Sequence, residues 1–373
     1  MSDLRLRTIT REEHLAFIRT LPSASHLQLP SWGEVKSQWR SESIGWFDAS
    51  DAIVGVGLVL YRQLPKLKRY LAYLPEGPVI DWFEPDLDRW LSPMLAHLKA
   101  QGAFSVKMGP PVVIRRWEAD TVKAAIAGGV AKRLRDVRSD WCEPRGFEVA
   151  ERLRRAGWLQ GEDDGAGFGD VQPRYVFQVP LAGRSLDDLQ RDMNQQWRRN
   201  IKKAEKSGVE VVQGGYADLP AFHRLYLTTA ARDRFTPRPL AYFERMWRAL
   251  AAEDPDRMRL YLACHDGEPL AATTMLTVGE HVWYSYGASA DHKREVRPSN
   301  AIQWRMMRDA YALGASTYDL RGISDTLDEG DHLFGLIRFK VGTGGQAAEY
   351  LGEWDFPLNK LLHKALDLYM SRR

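Results

Sequence analysis

The sequence predicts an α/β protein built from two tandem copies of one unit, and three observations carry that expectation. The order helix, antiparallel meander, helix, strand is written once across residues 10–108 and again across 185–320. The length of 373 residues exceeds one ordinary core and suggests two domains. Between the copies lies GEDDGAGFGD (161–170), a glycine and acid cluster of linker composition. With 44% hydrophobic and 27% charged residues, there is apolar material enough for two cores.

In the first copy, Thr10 and Glu13 form a capping box that opens a helix with Leu15, Phe17 and Ile18 on its apolar side. After PSWGEVKSQW (30–39) come three strand-like runs, SIGWFD, AIVGVGLVLYRQL and RYLAYL, then a helix over 85–101 ended by Gly102 and the strand FSVKM. Residues 112–170 are less regular, with charged helical pieces at VKAAIAGGVAKRLRDVRS and GFEVAERLRRAGW. The second copy opens with one long helix over about 185–206 that stops before Gly208, and VEVV follows as a strand. Helices at 217–232 and 239–252 precede the meander RMRLYLACH, PLAATTMLTV and HVWYSYGAS, which turns at Asp266-Gly267 and Gly279-Glu280. A helix over 299–313 closes at Gly314, and STYDL is a strand. The tail LNKLLHKALDLYM gathers Leu361, Leu362, Ala365, Leu366 and Tyr369 on one side, the pattern of a helix that docks on a core. The expected domains are 1–170 joined by the C-terminal helix 357–373, and 171–356.

Charge and cysteine content exclude several classes. Fifty-two Lys+Arg against 49 Asp+Glu leaves +3, so any nucleic-acid affinity must be local. Cys142 and Cys264 give neither a disulfide framework nor zinc spacing. The first residues lack an apolar leader core, and the longest apolar run, IVGVGLVLY, is about half a membrane span. A cytoplasmic protein is expected, able to work at the surface of a membrane. Nucleophile-elbow and H-E-x-x-H patterns are absent, and the nine histidines form no metal-type cluster. Neither a metal nor a cofactor is expected.

Meander, helix and further strand is the order of the GNAT acyltransferase unit. CoA-using members of that fold place a glycine-rich R-x-x-G-x-G/A turn where backbone N–H groups close around pyrophosphate. Here that place reads REVRPSNAIQW (294–304), without the glycines and with Pro298 removing a donor. The first copy's PEGPVIDWFEPDLDRW has no such turn either. Acetyl-CoA is therefore not the expected acyl donor.

Four stretches could carry chemistry. In WRRNIKKAEKSGVEV, Arg199, Lys202, Lys203 and Lys206 fall on one helix face with Arg198 beside it. That suits a phosphate backbone, although a solvated face near a helix C-terminus explains part of it. In LFGLIRFKVGTGGQAAEYLGEW, Lys340 precedes Gly342, Gly344 and Gly345, so a compact cation at a glycine bend could meet a carbonyl or phosphate oxygen; a helix C-cap is the plainer reading. ARDRFTPRPLAYF brings Arg232, Arg234 and Arg238 together, with Tyr242 one turn beyond Arg238. SWGEVKSQW sets Lys36 between Trp32 and Trp39, which fits a sugar or nucleotide site or two core tryptophans equally well.

Taken together, WRRNIKKAEKSGVEV, TTAARDRF, YSYGAS and YDLRGI…GLIRFKVGTGGQAAEYLGEW resemble the FemABX family of aminoacyl-tRNA-dependent peptidyltransferases, which build the interpeptide bridges of peptidoglycan. The resemblance is strong over the C-terminal half and rests on the WGEVK segment and domain size in the first 170 residues. It implies two tandem GNAT-like domains. Only FERMWRALAAEDPDR stands where longer members insert a coiled-coil arm, so the chain resembles the compact type. It further implies attack of a stem-peptide amine on the ester carbonyl of an aminoacyl-tRNA. Lys340 falls on the family's FK-x-G lysine near the reacting carbonyl. Lys36 and Arg238 fall where the compact type meets the diphosphate of a UDP-linked or lipid-linked muramyl pentapeptide, with Tyr242 and Tyr284 or Tyr286 lining the peptide site. The basic helix (Arg198, Arg199, Lys202, Lys203, Lys206) then meets tRNA phosphate. Asp319 and Asp325 are candidates for a general base, and a monomer is expected. Arg321 departs from the glycine often found at its position. Two other readings share much of this pattern: a tRNA-dependent amide-forming enzyme with a small-molecule acceptor, and a CoA-dependent GNAT N-acyltransferase.

Overall fold

The computed structural model describes residues 4–161 and 170–370, so most of the expected linker 161–170 lies outside the described residues. The chain divides into two compact units. The first comprises 1–116, 141–174 and 349–373, and the second comprises 117–140 and 175–348. These boundaries differ from those read off the sequence at 117–140, 171–174 and 349–356, and the cores explain the first and the last. Trp117, Val122 and Leu134 are buried in the second unit's apolar cluster, with Phe177 and Ile337. Trp354 is buried in the first unit's cluster, with Trp46 and Met108. Hydrophobic burial, not chain continuity, decides where each segment belongs.

In chain order the first stretch runs β1 (Arg5–Thr8), α1 (Arg11–Ile18), α2 (Pro30–Val35), β2 (Arg40–Phe47), β3 (Ile53–Gln63), β4 (Tyr70–Leu74), α3 (Asp88–Ala100) and β5 (Ala103–Met108). The capping box at α1 forms as expected, the Glu13 N–H donating to Thr10 Oγ1 at 3.1 Å and the Thr10 N–H to Glu13 Oε2 at 2.7 Å. Then come β6 (Val113–Glu118), α4 (Ala119–Gly128), β7 (Trp141–Cys142), α5 (Pro144–Arg155) and β8 (Leu159–Gln160). The helical piece expected over 122–139 stops early because Gly129 adopts φ 63, a left-handed cap.

The remainder is β9 (Tyr175–Pro180), α6 (Leu186–Asp192), α7 (Gln195–Lys206), β10 (Glu210–Gly214), α8 (Leu219–Asp233), α9 (Leu240–Glu253), β11 (Met258–His265), β12 (Glu268–Val278), β13 (His281–Ser289), α10 (Pro298–Ala312), β14 (Thr317–Ile323), α11 (Phe334–Val341), β15 (Gln346–Tyr350), β16 (Trp354–Phe356) and α12 (Lys360–Met370). The single long helix expected over 185–206 is two helices. Met193 is extended and Asn194 caps the second, accepting from the Trp197 N–H at 2.8 Å. Strands β9 and β15 have no counterpart in the sequence reading. The tail helix contacts β5, and His363 Nδ1 lies 2.9 Å from Ser105 Oγ. Its apolar side is only partly covered: Leu361 is 83% exposed and Ala365 is exposed, while Tyr369 lies outside the described side chains. Among the described residues no helix is long and apolar enough to cross a membrane.

The first unit's sheet has the order β1-β2-β3-β4-β5-β16-β8. Its one parallel pair, β4 with β5, runs the whole length of β4, from Tyr70 opposite Ala103 to Leu74 opposite Met108. In the second unit β10, β11, β12, β13, β14 and β9 are neighbours in that order. There the parallel pair β13 with β14 holds for only three positions, His281 to Trp283 opposite Thr317 to Asp319. Beyond Trp283 two irregularities intervene. The register of β12 and β13 shifts between Thr274 and Met275, and that of β14 and β9 shifts between Asp319 and Gly322. Each sets extra residues on one strand and re-aims the side chains beyond it. The two parallel strands therefore part company where the candidate side chains stand.

Candidate active site at the parted strands

Lys340 lies near the end of α11 and is 4% exposed. Its Nζ donates to the carbonyl oxygens of Gly322 at 2.6 Å and Arg321 at 3.3 Å, both on the irregular end of β14. Arg321 has φ 63. That left-handed backbone is what glycine adopts freely and residues with a side chain rarely do. The turn is held by Asp319, whose Oδ1 accepts from the Arg321 N–H at 2.6 Å. Asp319 is itself buried, at 1% exposure, and its Oδ2 accepts from Gln178 Nε2 at 3.0 Å and lies 3.2 Å from His281 Nε2. His281 is stacked on Trp283, with ring centroids 4.0 Å apart and 14° between planes.

Burial pushes the Lys340 amine down to about 7, aided by the Arg321 charge and opposed by that of Asp319. Burial alone would raise the Asp319 carboxyl. The His281 contact and charge, the Arg321 charge and Gln178 outweigh it and hold that carboxyl below its usual range. The donor count then has a chemical consequence. An ammonium offers three N–H bonds and a neutral amine two. Two are spent on Arg321 and Gly322, and no further partner exists among the described residues. Only the protonated Lys340 has a donor to spare for a substrate oxygen.

The glycines after Lys340 serve packing. A Cβ on Gly342 would stand 2.2 Å from Trp197, one on Gly344 (φ 78) 2.3 Å from the Asp192 carbonyl, and one on Gly345 2.2 Å from that of Gln178. The bend is closed against its own protein and does not form an open cradle. Asp325, expected as a candidate base, is an ion-pair anchor instead. Its two oxygens accept from Arg133 Nη1 at 2.7 Å and Arg135 Nε at 2.8 Å. That arrangement fixes the segment after β14.

The other expected residues fall into separate groups. Tyr242 on α9 and Tyr286 on β13 bring their hydroxyls to 3.1 Å, and the exposed Arg238 lies 5.0 Å over the Tyr242 ring. Tyr284 does not join them: its hydroxyl is turned against the Gly287 backbone, 1.7 Å from where a Cβ would be, and burial raises it to about 12. Lys36 ends α2 in the first unit, its Nζ 5.4 Å over the Trp32 ring. On α7, Trp197, Ile201 and Ala204 face inward and the helix packs on α10. Arg199, Lys202, Lys203 and Lys206 are exposed, and none is ion-paired among the described residues. Arg198 differs from its neighbours, donating from its half-buried guanidinium to the carbonyls of Arg191, at 2.6 Å, and Met193. α10 opens on Pro298, which has no N–H, and the Asn300 N–H turns back to the Arg297 carbonyl at 3.2 Å. This helix start therefore offers fewer outward amides than a glycine-rich pyrophosphate turn.

Sequence reasoning missed His281, Gln178 and Trp197 as members of this arrangement. His281 and Trp283, two apart on one strand, share a face, which is a usable signal. Gln178 lies on β9, a strand the sequence pattern does not reveal.

Two GNAT-like units in tandem, the second with parted strands and a buried lysine, define an acyltransferase. The sequence profile of the FemAB family matches residues 9–266 and 261–370, and the chain belongs to that family. Relatives include the lipid II:glycine glycyltransferases of Staphylococcus haemolyticus, 24% identical over 430 residues, and Staphylococcus epidermidis, 25% identical over 429. Each alignment covers 98% of this chain and 95% of the relative. Both alignments are longer than the 373-residue chain, so the relatives carry insertions that it lacks. The fold matches the crystal structure of FemX with a TM-score of 0.80 at 23% identity, over 97% of this chain and 99% of that one. A tandem GNAT protein from the clavulanic acid biosynthesis pathway matches with a TM-score of 0.53 at 11% identity, over 96% and 99%.

Proposed function

We propose that the protein moves an amino acid from aminoacyl-tRNA to the stem-peptide amine of a peptidoglycan precursor, forming an interpeptide bridge. The observation that carries this reading is Lys340, a buried lysine with one uncommitted N–H in its protonated form, beside the parted strands. An aminoacyl ester is already activated, so its aminolysis needs positioning and a donor for the oxyanion more than a nucleophile. The amine attacks the ester carbonyl, and Lys340 donates its third N–H to the developing oxyanion. The ester C–O bond then breaks, and the proton that the amine loses as the amide forms ends on the departing tRNA oxygen, which leaves as a hydroxyl. Asp319 holds the Arg321 turn that presents the two carbonyls to Lys340 and keeps the ammonium favoured.

The exposed, unpaired face of α7 suits a tRNA phosphate backbone. Arg238, Tyr242 and Tyr286 suit the precursor, and Lys36 its diphosphate. The start of α10, where Pro298 supplies no N–H, weighs against acetyl-CoA as donor. The glycyltransferase relatives favour a lipid-linked acceptor at the cytoplasmic membrane face, with UDP-linked pentapeptide as the other acceptor form.

The test is transfer of labelled amino acid from mixed charged tRNA to UDP-linked or lipid-linked muramyl pentapeptide, with acetyl-CoA as the control donor. Ribonuclease-sensitive labelling of the pentapeptide is expected. Labelling from acetyl-CoA alone would overturn the reading.

A further inference from the structure

The α6–α7 junction grips the backbone on both sides of Lys340. The indole N–H of Trp197 donates to the Phe339 carbonyl at 2.9 Å, and the two rings pack with centroids 4.8 Å apart. On the far side the Asn194 N–H donates to the Gly342 carbonyl at 2.9 Å. Gly342 and Gly344 lie so close to Trp197 and Asp192 that neither position has room for a side chain. Lys340 is thus suspended between two carbonyls that α7 holds. The same helix carries Arg199, Lys202, Lys203 and Lys206 on its outer face, and Trp197, Ile201 and Ala204 on its inner one.

We propose that Trp197 is a positioning residue that couples engagement of the basic face of α7 by the RNA of the donor to the placement of Lys340. This rests on the donor reading above. Any shift of α7 that phosphate contacts impose on its outer face is carried to the Phe339 carbonyl by a rigid ring. Packed elements of this kind move as discrete bodies. The residue touches neither substrate; it acts through the backbone of the residue before Lys340.

The test is Trp197→Phe, which keeps an aromatic ring and deletes the N–H. A displaced reacting group costs about tenfold to a hundredfold in rate. At least a tenfold fall in kcat is expected, with the KM for aminoacyl-tRNA and the salt-dependent binding of uncharged tRNA unchanged. The alkaline limb of the rate profile should also move. An unchanged kcat, or weakened RNA binding with normal kcat, would overturn the proposal. Should the wild-type protein transfer nothing from charged tRNA, the donor reading falls separately. The proposal is then decided by labelling Lys340 with a small acylating reagent across pH, with and without bound tRNA. A labelling midpoint that tRNA shifts in the wild type but not in W197F upholds the coupling, and tRNA-independent labelling overturns it. If a melting curve shows W197F unfolded, Gly342→Ala, which displaces the indole from the other side, is read in the same assays.

Discussion

Each unit sets a lysine beside a parallel strand pair, half-buried in the first and buried in the second, and the two are treated in opposite ways. In the first unit Lys107 lies on β5, and its Nζ donates to Asp355 Oδ2 at 2.6 Å. Burial alone would lower this amine, but the charges of Asp355 and Glu353 outweigh it and the pKa is raised. In the second unit Lys340 meets two neutral carbonyls and is pushed down to about 7. The strands differ in step. Along β4 and β5 every position of β4 is paired, and β16 covers the other side of β5. Along β13 and β14 only three positions are paired before both strands turn away. A neutralised lysine in a closed sheet is a brace. A lysine answered by carbonyls beside an opened sheet keeps a proton it can lose and a donor it can lend.

Four sets of variants test this contrast, in descending order of expected effect. Lys340→Met should spare tRNA binding and slow transfer by about a hundredfold to a thousandfold, the cost of losing one oxyanion donor. Turnover near normal would reduce Lys340 to a second brace. Lys202→Glu with Lys203→Glu should weaken binding of every tRNA about tenfold at physiological salt and flatten its salt dependence, as lost phosphate contacts do; nitrocellulose filter binding across a salt series reads this. Tyr242→Phe removes the hydroxyl paired with Tyr286 and should raise the KM for the pentapeptide about fivefold, one hydrogen bond's worth. An unchanged KM would take that pair out of the acceptor site. Lys107→Met with Asp355→Leu should change transfer by no more than about twofold, since a half-buried pair replaced together by apolar residues is roughly neutral. A large loss there would mean the first unit's lysine is more than structural.

Much of this was legible in the sequence. The meander of the second unit and its tight turns at Asp266-Gly267 and Gly279-Glu280 arise from alternation and turn chemistry, and the strands lie within a residue or two of expectation. Local pattern also singled out Lys340 and the basic face of α7 as candidates. What stayed hidden was long-range. β9 and β15 are short and buried, and short apolar runs do not distinguish themselves from loops or helices. The partners of Asp325 were hidden because Arg133 and Arg135 stand 192 and 190 residues away in sequence. Gly342, Gly344 and Gly345 suggested a bend at which Lys340 could meet a carbonyl or phosphate oxygen, whereas Trp197, Asp192 and Gln178 press against them. No spacing rule reveals which backbone will approach a glycine in space.

The most direct measurement is the single-turnover rate of transfer from a fixed charged tRNA as a function of pH, for the wild type and Lys340→Met. Lys340 carries its spare N–H only when protonated, so its contribution is present below about 7 and is lost as the pH rises through that value. An alkaline fall with a midpoint near 7 is expected in the wild type, and its absence in the variant. A wild-type rate that climbs steadily through the alkaline range, with the same profile in Lys340→Met, would contradict the role given to this lysine.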